Sequence, residues 1–279
     1  MHELRQSFPV VELLKVVELS RSTFYAWDMV RKVPDKYAHA KELIKQVYDE
    51  HKGRYGYRRI ADALREHGIE LHANTILRLM GQLGLKSVQR VKNFKTYRGK
   101  VGVVAPNLLE RNFDAEAPNQ KWATDVTEFK VGSEKVYLST VKDLCTREIV
   151  AHETSLRPTM QLVVSMLKKA LATLKPGEAP TMHSDQGWHY QMSEYRKLLS
   201  DHNVVQSMSR KGNCLDNASM ESFFAVLKTE CFHRQSFTDT NELRATIDDY
   251  IGYYNTKRIS TALGGLTPLQ CRIKHAQAT

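Results

Sequence analysis

The chain has 279 residues, of which 42% are hydrophobic, so it is long enough for two domains with a buried core. It contains no run of 18 or more apolar residues, which excludes a membrane-spanning helix on sequence grounds. The first residues lack the apolar stretch of a signal peptide, and the four cysteines are scattered without a CxxC pair. We therefore expect a cytoplasmic protein without a cysteine-based zinc site.

The net charge of +10 is concentrated in the first third of the chain. Residues 1–105 contain 20 Lys and Arg and 11 Asp and Glu, a charge of +9, whereas residues 106–279 carry +1. No acidic residue lies between Glu70 and Glu110, and the basic residues of this interval are Arg78, Lys86, Arg90, Lys92, Lys95, Arg98 and Lys100. This distribution is typical of a segment that binds a polyanion. A solvated helix face or an unstructured tail is the alternative.

The first 30 residues predict a helical hairpin. Apolar residues recur at helical spacing from Phe8 to Leu19, and Ser20 then predicts a turn or the cap of a second short helix reaching Trp27. We interpret residues 1–30 as a first helix-turn-helix. The signal is weak by itself, because any small helical hairpin produces the same pattern.

Residues 37–88 predict a second helix-turn-helix region of three helices, over 37–50, 53–68 and 72–84, with Asn74 capping the third. In such units the last helix enters the major groove with its N-terminal residues forward. The residues that we expect near bases or phosphates are His72, Asn74, Thr75 and Arg78. A surface ion pair between Arg78 and Glu66 or Glu70 is the alternative.

A basic linker is predicted over residues 89–112, because the segment has little apolar periodicity and contains Gly99, Gly102 and Pro106. A basic extended segment can itself follow a DNA backbone. The residues expected to contact DNA in and before this linker are Lys86, Arg90, Lys92, Lys95 and Arg98.

The second half of the chain predicts an α/β domain. Strands are expected over 120–131, 135–145, 148–155, 180–187 and 204–208, and helices over 159–175, 193–202, 218–232 and 238–254. Three close-set strands followed by alternating helices and strands indicate a mixed sheet with helices packed on its faces.

Three acidic residues lie in segments whose neighbours are apolar. Asp125 is in the first predicted strand, Asp185 ends a later strand, and Glu221 begins a helix among Phe223 and Phe224. Burying a carboxylate without a partner costs several kcal/mol, so such acids are usually paired with a cation. No Lys or Arg in the flanking segments is an obvious partner for all three, so a shared metal pair fits better.

Asp185 and Glu221 are separated by 35 residues, and several stretches accompany this spacing: GRYGYRRI, RLMGQLGL, WATDVTEF, HSDQGWHY, KGNCLDNASMESFFAVLKTE and YNTKRISTALGGLTPLQ. Together they resemble the second-frame (OrfB) transposases of insertion sequences, whose catalytic core is related to that of retroviral integrases. The resemblance covers essentially the whole chain. No cysteine precedes Cys145, so it does not extend to the zinc-binding module of retroviral integrases.

The resemblance implies an RNase H-like fold for residues 113–235, followed by a C-terminal helical extension over 236–279. It implies that Asp125, Asp185 and Glu221 form a D,D(35)E triad and that Lys228 contacts DNA. Lys228 follows Glu221 by two helical turns, so both side chains share a face. A solvated helix lysine is the alternative.

A triad of this kind fits two Mg²⁺ or Mn²⁺ ions. A metal pair about 3.5–4 Å apart activates the attacking oxygen and stabilises the leaving oxygen of a phosphodiester, and these hard cations prefer carboxylate oxygens. His183 and His189 flank Asp185, where we expect hydrogen-bonded structural roles rather than metal ligation.

The expected function is that of a DNA transposase that binds insertion-sequence ends, cleaves a strand and transfers its 3′-OH. The resemblance implies double-stranded DNA as partner, in the form of terminal inverted repeats and target DNA. It also implies an oligomer of at least two copies, a first-frame partner or frameshift fusion, and work at the bacterial nucleoid. The rivals are a non-catalytic DNA-binding regulator and an RNase H-type nuclease, from which strand joining distinguishes a transposase.

Overall fold

The computed structural model of the protein describes residues 8–32, 34–87, 103–210 and 214–278. Within these ranges the chain forms eleven α-helices and five β-strands. None of the helices in these ranges is both long enough and apolar enough to cross a membrane. Four of the basic residues predicted to contact DNA lie outside the described residues, namely Arg90, Lys92, Lys95 and Arg98.

Helices α1 (Val10–Val16) and α2 (Arg21–Lys32) form the helical hairpin predicted at the start of the chain. The Ser20 hydroxyl accepts a hydrogen bond from the backbone N–H of Thr23 at 3.1 Å, which confirms Ser20 as the cap of the second helix. α2 extends beyond Trp27, where the sequence predicted its end.

Helices α3 (Ala38–Glu50), α4 (Tyr57–Glu66) and α5 (Ala73–Gln82) pack around one core. Its fully buried aliphatic side chains are Ile44, Ile60, Leu64, Ile76 and Leu79. α4 begins four residues later than predicted, because the chain turns through Gly53 at a φ of +69°, a conformation that favours glycine.

The prediction that Asn74 caps α5 is wrong. The N-cap residue is His72, whose ring Nδ1 accepts a hydrogen bond from the backbone N–H of Asn74 at 3.3 Å. The extended backbone of His72 aims its ring back at the first turn, so its side chain occupies the position that an Asn or Ser would take.

The sheet contains β1 (Lys121–Val131), β2 (Glu134–Asp143), β3 (Ile149–Ser155), β4 (Thr181–Ser184) and β5 (Val205–Met208) in the order β3-β2-β1-β4-β5. β1, β2 and β3 pair antiparallel as a meander, whereas β4 lies parallel to both β1 and β5. This arrangement confirms the predicted RNase H-like mixed sheet, preceded by the helical region.

Helices cover both faces of the sheet. On one face, α6 (Met160–Leu171) and α8 (Ser193–Asp201) bury a core that includes Trp122 of β1. On the other, α9 (Ala218–Leu227) and α10 (Thr240–Thr256) bury a core that includes Ala123 and Phe129 of β1. Alternate residues of β1 therefore face opposite cores.

The structure contains elements that the sequence patterns did not predict. A four-residue helix, α7 (Trp188–Gln191), directly follows the Asp185 turn. The helix predicted over 218–232 is α-helical only to Leu227 and continues as a π-helical turn over Lys228–Phe232. After α10, the tail forms a β-bridge between Ser260 and Leu266 and ends in α11 (Pro268–Ala278).

The tail also reaches the N-terminal helices. Ile259, just after α10, is buried in the core that α3, α4 and α5 share. The backbone N–H of Ile259 donates a hydrogen bond to the Tyr55 hydroxyl at 3.0 Å. The C-terminal extension thus packs against a region 200 residues earlier in the chain.

Candidate active site

Asp125 and Asp185 are brought together by the parallel pairing of β1 and β4. Ala123 of β1 is the register partner of His183 of β4, and each aspartate follows its strand residue by two positions. Paired parallel strands lie about 4.8 Å apart, and residues two apart on a strand share a face. Both aspartates therefore lie at the same level, on the face that α9 covers.

The loop after Asp185 is held by a close backbone approach. The N–H of Gly187 donates a hydrogen bond to Asp185 Oδ1 at 2.8 Å. A Cβ atom at position 187 would lie 2.8 Å from the same oxygen, which is closer than such contacts occur. Glycine at this position is therefore what allows the carboxylate of Asp185 to turn toward the end of the strand.

Glu221 reaches the same region from α9. This helix packs against β1, and Glu221 lies in its first turn. Asn217 precedes it by four residues, which is one helical turn. Asn217 occupies the N-cap position without a capping hydrogen bond, and both polar atoms of its buried amide lack a partner among the described residues.

The three carboxylates oppose one another's charge. Burial raises the pKa of Asp125 well above its usual range, and the charges of Asp185 and Glu221 raise it further. Burial also raises the pKa of Asp185, while the hydrogen bond from Gly187 acts in the opposite direction. Like charges held together away from water favour protonation or a bound cation, so the site has the electrostatic character of a cation-binding centre.

The donor set fits a hard divalent cation in its chemistry, because it consists of carboxylate oxygens. A buried hydroxyl is also nearby: Thr140 is the cross-strand partner of Asp125, and its Oγ1 lacks a hydrogen-bond partner among the described residues. Across all the residues that the structure describes, no group of three or more His, Cys, Asp or Glu side chains is already arranged to hold a metal ion.

Lys228 lies at the edge of this group, where α9 passes into the π-helical turn. Its ammonium group lies 5.3 Å from the ring centroid of Phe129, which shares the Asp125 face of β1. Burial lowers the pKa of Lys228, whereas the charges of Glu128 and Asp125 raise it. The side chain of Lys228 is half-buried, and its contact with DNA stays a prediction.

His183 and His189 have the hydrogen-bonded structural roles that were predicted. His183 is buried between Asp216, whose carbonyl oxygen is 2.9 Å from Nε2, and Ser207, whose hydroxyl is 2.8 Å from Nδ1. Burial lowers the pKa of His183, so a neutral ring donates to the carbonyl and accepts from the hydroxyl. His189 Nε2 bonds the carbonyl oxygen of Pro158 at 3.1 Å.

Family models match three parts of the chain. A model described as an integrase core domain matches residues 115–214, and a second model with the same description matches residues 221–275. A model described as an HTH-like domain matches residues 36–93. The range 115–214 contains the five-stranded sheet with Asp125 and Asp185, and the range 221–275 begins at Glu221. The range 36–93 contains the three-helix unit.

Full-length relatives decide the family. The chain is 49% identical to the putative transposase InsK for insertion sequence element IS150 of Escherichia coli K12, over 98% of this chain and 96% of the relative. It is 34% identical to transposase InsF for insertion sequence IS3A of the same organism, over 96% and 95%. The chain belongs to the insertion-sequence transposases.

Solved structures similar to this transposase include the HTLV-2 integrase catalytic core domain, with 17% identity and a TM-score of 0.43 over 57% of this chain and 99% of that one. A chain from the structure of the simian T-cell lymphotropic virus intasome in complex with PP2A regulatory subunit B56 gamma has 18% identity and a TM-score of 0.49, over 76% of this chain and 70% of that one. Both scores lie below 0.5, so the family assignment rests on the full-length relatives.

The sequence patterns missed a second acidic centre in the transposase. Asp216, buried just before α9, accepts hydrogen bonds from Arg210 and Arg111 at 3.0 Å each and from the amide of Asn107 at 3.0 Å. The bond from Arg210 contributes most to holding the pKa of Asp216 well below its usual range. Arg111 is 105 residues away in sequence, so no local pattern could have indicated this pairing.

The predicted DNA contacts of the transposase lie at the surface of the three-helix unit. His72, Asn74 and Arg78 are exposed at and along the first half of α5, and Thr75 is half-buried. Arg78 lies 5.5 Å from the ring centroid of Tyr37. Among the described residues it forms no ion pair with Glu66 or Glu70, which was the alternative.

Lys86 is also exposed, in the segment that follows α5. Its backbone carbonyl accepts a hydrogen bond from the Tyr48 hydroxyl at 2.7 Å, which fixes the start of this segment on α3. The side chain of Lys86 is thereby presented at the same end of the three-helix unit as the C-terminal end of α5.

Proposed function

We propose that this transposase cleaves DNA strands and transfers their 3′-OH ends with a D,D,E triad formed by Asp125, Asp185 and Glu221. The observation that carries the proposal is that Asp125 and Asp185 each follow the register partners Ala123 of β1 and His183 of β4 by two residues, with the charge of Glu221 acting on Asp125. The raised pKa values of the aspartates support a site that takes up cations.

The triad would hold two Mg²⁺ or Mn²⁺ ions, which when bound activate the attacking oxygen and stabilise the leaving oxygen. Asp125 in β1 and Asp185 just after β4 would supply carboxylate oxygens from adjacent strands, and Glu221 would supply a third carboxylate from α9. Gly187 orients Asp185 by its backbone N–H. Lys228, half-buried beside Phe129, supplies a fixed positive charge that can hold a DNA phosphate next to the carboxylates.

We propose that the N-terminal helices bind the ends of the element. The exposed residues of α5, namely His72, Asn74 and Arg78, together with half-buried Thr75, would approach bases or phosphates. Lys86 would extend this surface, and Arg90, Lys92, Lys95 and Arg98 would follow the backbone beyond it. The concentration of positive charge in residues 1–105 supports this division of labour.

The proposed domain division follows the same logic. Two helix-turn-helix units span residues 1–30 and 37–88, a basic linker spans 89–112, the catalytic core spans 113–235, and the helical extension spans 236–279. The reaction joins two DNA ends to each other or to target DNA, so it requires at least two copies of the chain. A first-frame partner, or a fusion with it, and a place at the bacterial nucleoid complete the proposal.

The test is a DNA substrate that carries both ends of the element, incubated with full-length protein and Mg²⁺ or Mn²⁺. Wild type is compared with Glu221→Gln and with Glu194→Gln, a matched control in the first turn of α8 that is exposed. We expect metal-dependent nicks and joined products from wild type and the control, and neither from Glu221→Gln.

Three other results would contradict the proposal on a denaturing gel. Binding without any product contradicts strand cleavage by this chain alone and indicates a DNA-binding regulator, or a protein that needs its first-frame partner. Nicks without joined strands indicate a nuclease of the RNase H type. Products that persist in Glu221→Gln remove Glu221 from the site.

A further inference from the structure

Glu230 lies in the π-helical turn Lys228–Phe232, directly after the helix that carries Glu221. Glu230 follows Lys228 by two residues, and side chains two apart on a helix point in different directions. Lys228 faces β1, at Phe129. Glu230 faces away from the sheet, toward the N-terminal helices and the tail. One short turn therefore separates the proposed catalytic site from the proposed DNA-binding unit.

The Glu230 carboxylate is buried and fully engaged by the C-terminal part of the chain. Arg258 contacts both oxygens, with Nη2 at 2.7 Å from Oε1 and Nε at 2.9 Å from Oε2. The Tyr250 hydroxyl donates to Oε2 at 2.9 Å. Burial raises the pKa of Glu230, but the bonds and charge of Arg258 prevail and hold it below its ordinary value.

The N-terminal unit reaches the same residue through α4 and the turn before it. Arg59 Nη1 lies 3.4 Å from Glu230 Oε1, and Arg54 Nε donates to the backbone carbonyl of Glu230 at 3.3 Å. The guanidinium of Arg54 also lies 4.5 Å from the ring centroid of Tyr253 on α10. Both groups of Glu230, its side chain and its backbone carbonyl, are thus bound from the N-terminal unit.

Tyr55, which lies between these arginines in sequence, joins the unit to the tail. Its hydroxyl donates to the carbonyl oxygen of Lys257 at 3.0 Å and accepts from the N–H of Ile259 at 3.0 Å. The Tyr55 side chain is fully buried. The N-terminal unit, the tail and the π-helical turn therefore meet at one largely buried interface, in which the charged and polar groups named here are hydrogen-bonded to one another.

We propose that Glu230 is a positioning residue for strand cleavage. Its contacts with Arg59 and Arg54 couple the position of the N-terminal helical unit to the position of α9, and so hold Lys228 and Glu221 in place. The inference rests on the proposed function of Lys228 and Glu221. In this arrangement, DNA that orients α4 and α5 also orients the helix that carries two members of the catalytic group. A π-helical turn is a natural element for this purpose, because such turns interrupt the regular ladder of an α-helix.

The test removes the contact that Arg59 makes with the Glu230 carboxylate, and leaves the contacts of Arg54 and Arg258 in place. Arg59→Gln is compared with Arg58→Gln, a control that changes the neighbouring arginine of the same helix, whose side chain is exposed. Arg59 is preferred to Glu230 as the site of change, because loss of the carboxylate would leave Arg258 buried without a counter-charge and destabilise the chain. Arg59→Lys is the conservative variant, since one amine can replace a single N–O contact.

Three quantities are measured on the full chain: affinity for end DNA, the single-turnover nicking rate at saturating DNA, and hydrogen–deuterium exchange of residues 218–232. We expect Arg59→Gln to bind end DNA as tightly as the Arg58→Gln control. Its nicking rate should fall about tenfold, which corresponds to about 1.4 kcal/mol. Exchange in residues 218–232 should accelerate in Arg59→Gln alone, and Arg59→Lys should recover most of the rate.

The proposal is overturned if Arg59→Gln nicks at the control rate when DNA is saturating. A deficit that is seen only below saturation would assign Arg59 to DNA binding alone. Unchanged exchange in residues 218–232 overturns it as well. If wild type itself does not nick, the proposed function fails, whereas the exchange comparison still decides whether Arg59 constrains α9. The two failures are therefore distinguishable.

Discussion

Acidic residues lie near both ends of helix α9, and the two groups differ in their surroundings. Near its N-terminus, Asp125 and Asp185 face each other and Glu221, and their pKa values are raised. Just after its C-terminus, buried Glu230 has a lowered pKa instead, because Arg258 binds both of its oxygens. Burial alone therefore does not decide the state of a carboxylate in this chain.

Glu230 differs from Asp125, Asp185 and Glu221 in whether its charge is neutralised by groups of the chain itself. A carboxylate surrounded by arginine and tyrosine donors is complete within the folded chain and stabilises the contact between its segments. Carboxylates whose charges oppose one another favour protonation or a cation from solution. Removal of an acid should therefore have opposite consequences for stability in the two groups.

The largest expected effect is on catalysis, in Asp125→Asn. The nicking rate should fall by at least about a thousandfold, because the bound ions contribute several kcal/mol to the transition state. Without metal, the free energy of unfolding should rise by on the order of 1 kcal/mol, because one of the opposing charges is gone. Thermal unfolding with and without Mg²⁺ checks this, since Mg²⁺ should raise the melting temperature of wild type but not that of Asp125→Asn.

The control for this prediction is Asp201→Asn, which changes an exposed aspartate at the end of α8. It should match wild type in rate and in stabilisation by Mg²⁺. If Asp125→Asn is instead destabilised in the absence of metal, interactions within the chain stabilise the charge of Asp125 more than the neighbouring acids oppose it, and the contrast between the two ends of α9 is lost.

The second prediction concerns Glu230→Gln, which should lower the free energy of unfolding by about 3 kcal/mol at neutral pH, because Arg258 is left buried without a counter-charge. The folded-state pKa of Glu230 lies below its ordinary value of 4.5. Its stabilisation is therefore complete above pH 4.5 and is lost as the pH falls through the folded-state value.

Urea unfolding from neutral to acidic pH measures this difference. The stabilities of wild type and Glu230→Gln should converge in acid, whereas exposed Glu194→Gln should follow wild type throughout. A gap between wild type and Glu230→Gln that stays constant down to low pH would show that the variant is destabilised by packing rather than by loss of charge.

The two ends of α9 also differ in how far sequence predicts them. Asp125, Asp185 and Glu221 were named from buried-looking neighbours, from a 35-residue spacing and from family resemblance. Local periodicity predicts which residues of β1 share a face, because β1 alternates between two cores. It does not predict the parallel pairing of β1 with β4, which joins Ala123 to His183 and brings the two aspartates together. The mixed sheet and the three-helix unit were predicted from the same periodicity.

Glu230 gave no such signal. Its partners Arg59 and Arg258 are 171 and 28 residues away, and neither distance follows from helix or strand periodicity. The π-helical turn was predicted as ordinary helix, because its sequence KTECF has no helix breaker. Its geometry depends on long-range contacts, such as that of Arg54 with the Glu230 carbonyl, which exist only after the tail has folded against the N-terminal unit.

The third prediction extends the comparison to a buried cation. Lys142 of β2 lies beneath the start of α9, where its ammonium group donates to the carbonyl oxygen and hydroxyl of Ser219 at 3.2 and 3.1 Å. Burial, assisted by the charges of Arg147 and Arg258, lowers the pKa of Lys142 from 10.5 to about 7. Lys142 therefore resembles Asp125 and Asp185, since its surroundings destabilise its charged form.

Between pH 7 and 10.5 the unfolded chain holds a proton on Lys142 that the folded chain lacks, so this residue makes stability rise with pH in that interval. The contribution is about 1.4 kcal/mol per pH unit. Lys142→Met should remove this pH dependence. Below pH 7 the variant should have a higher free energy of unfolding than wild type, reduced by the loss of the two hydrogen bonds to Ser219. Urea unfolding at pH 6, 7, 8 and 9 tests this against Lys130→Met, which changes an exposed lysine of β1 and should keep the slope. If Lys142→Met keeps the slope as well, Lys142 is charged in the folded state. A carboxylate near the start of α9 must then stabilise the charge of the buried ammonium group.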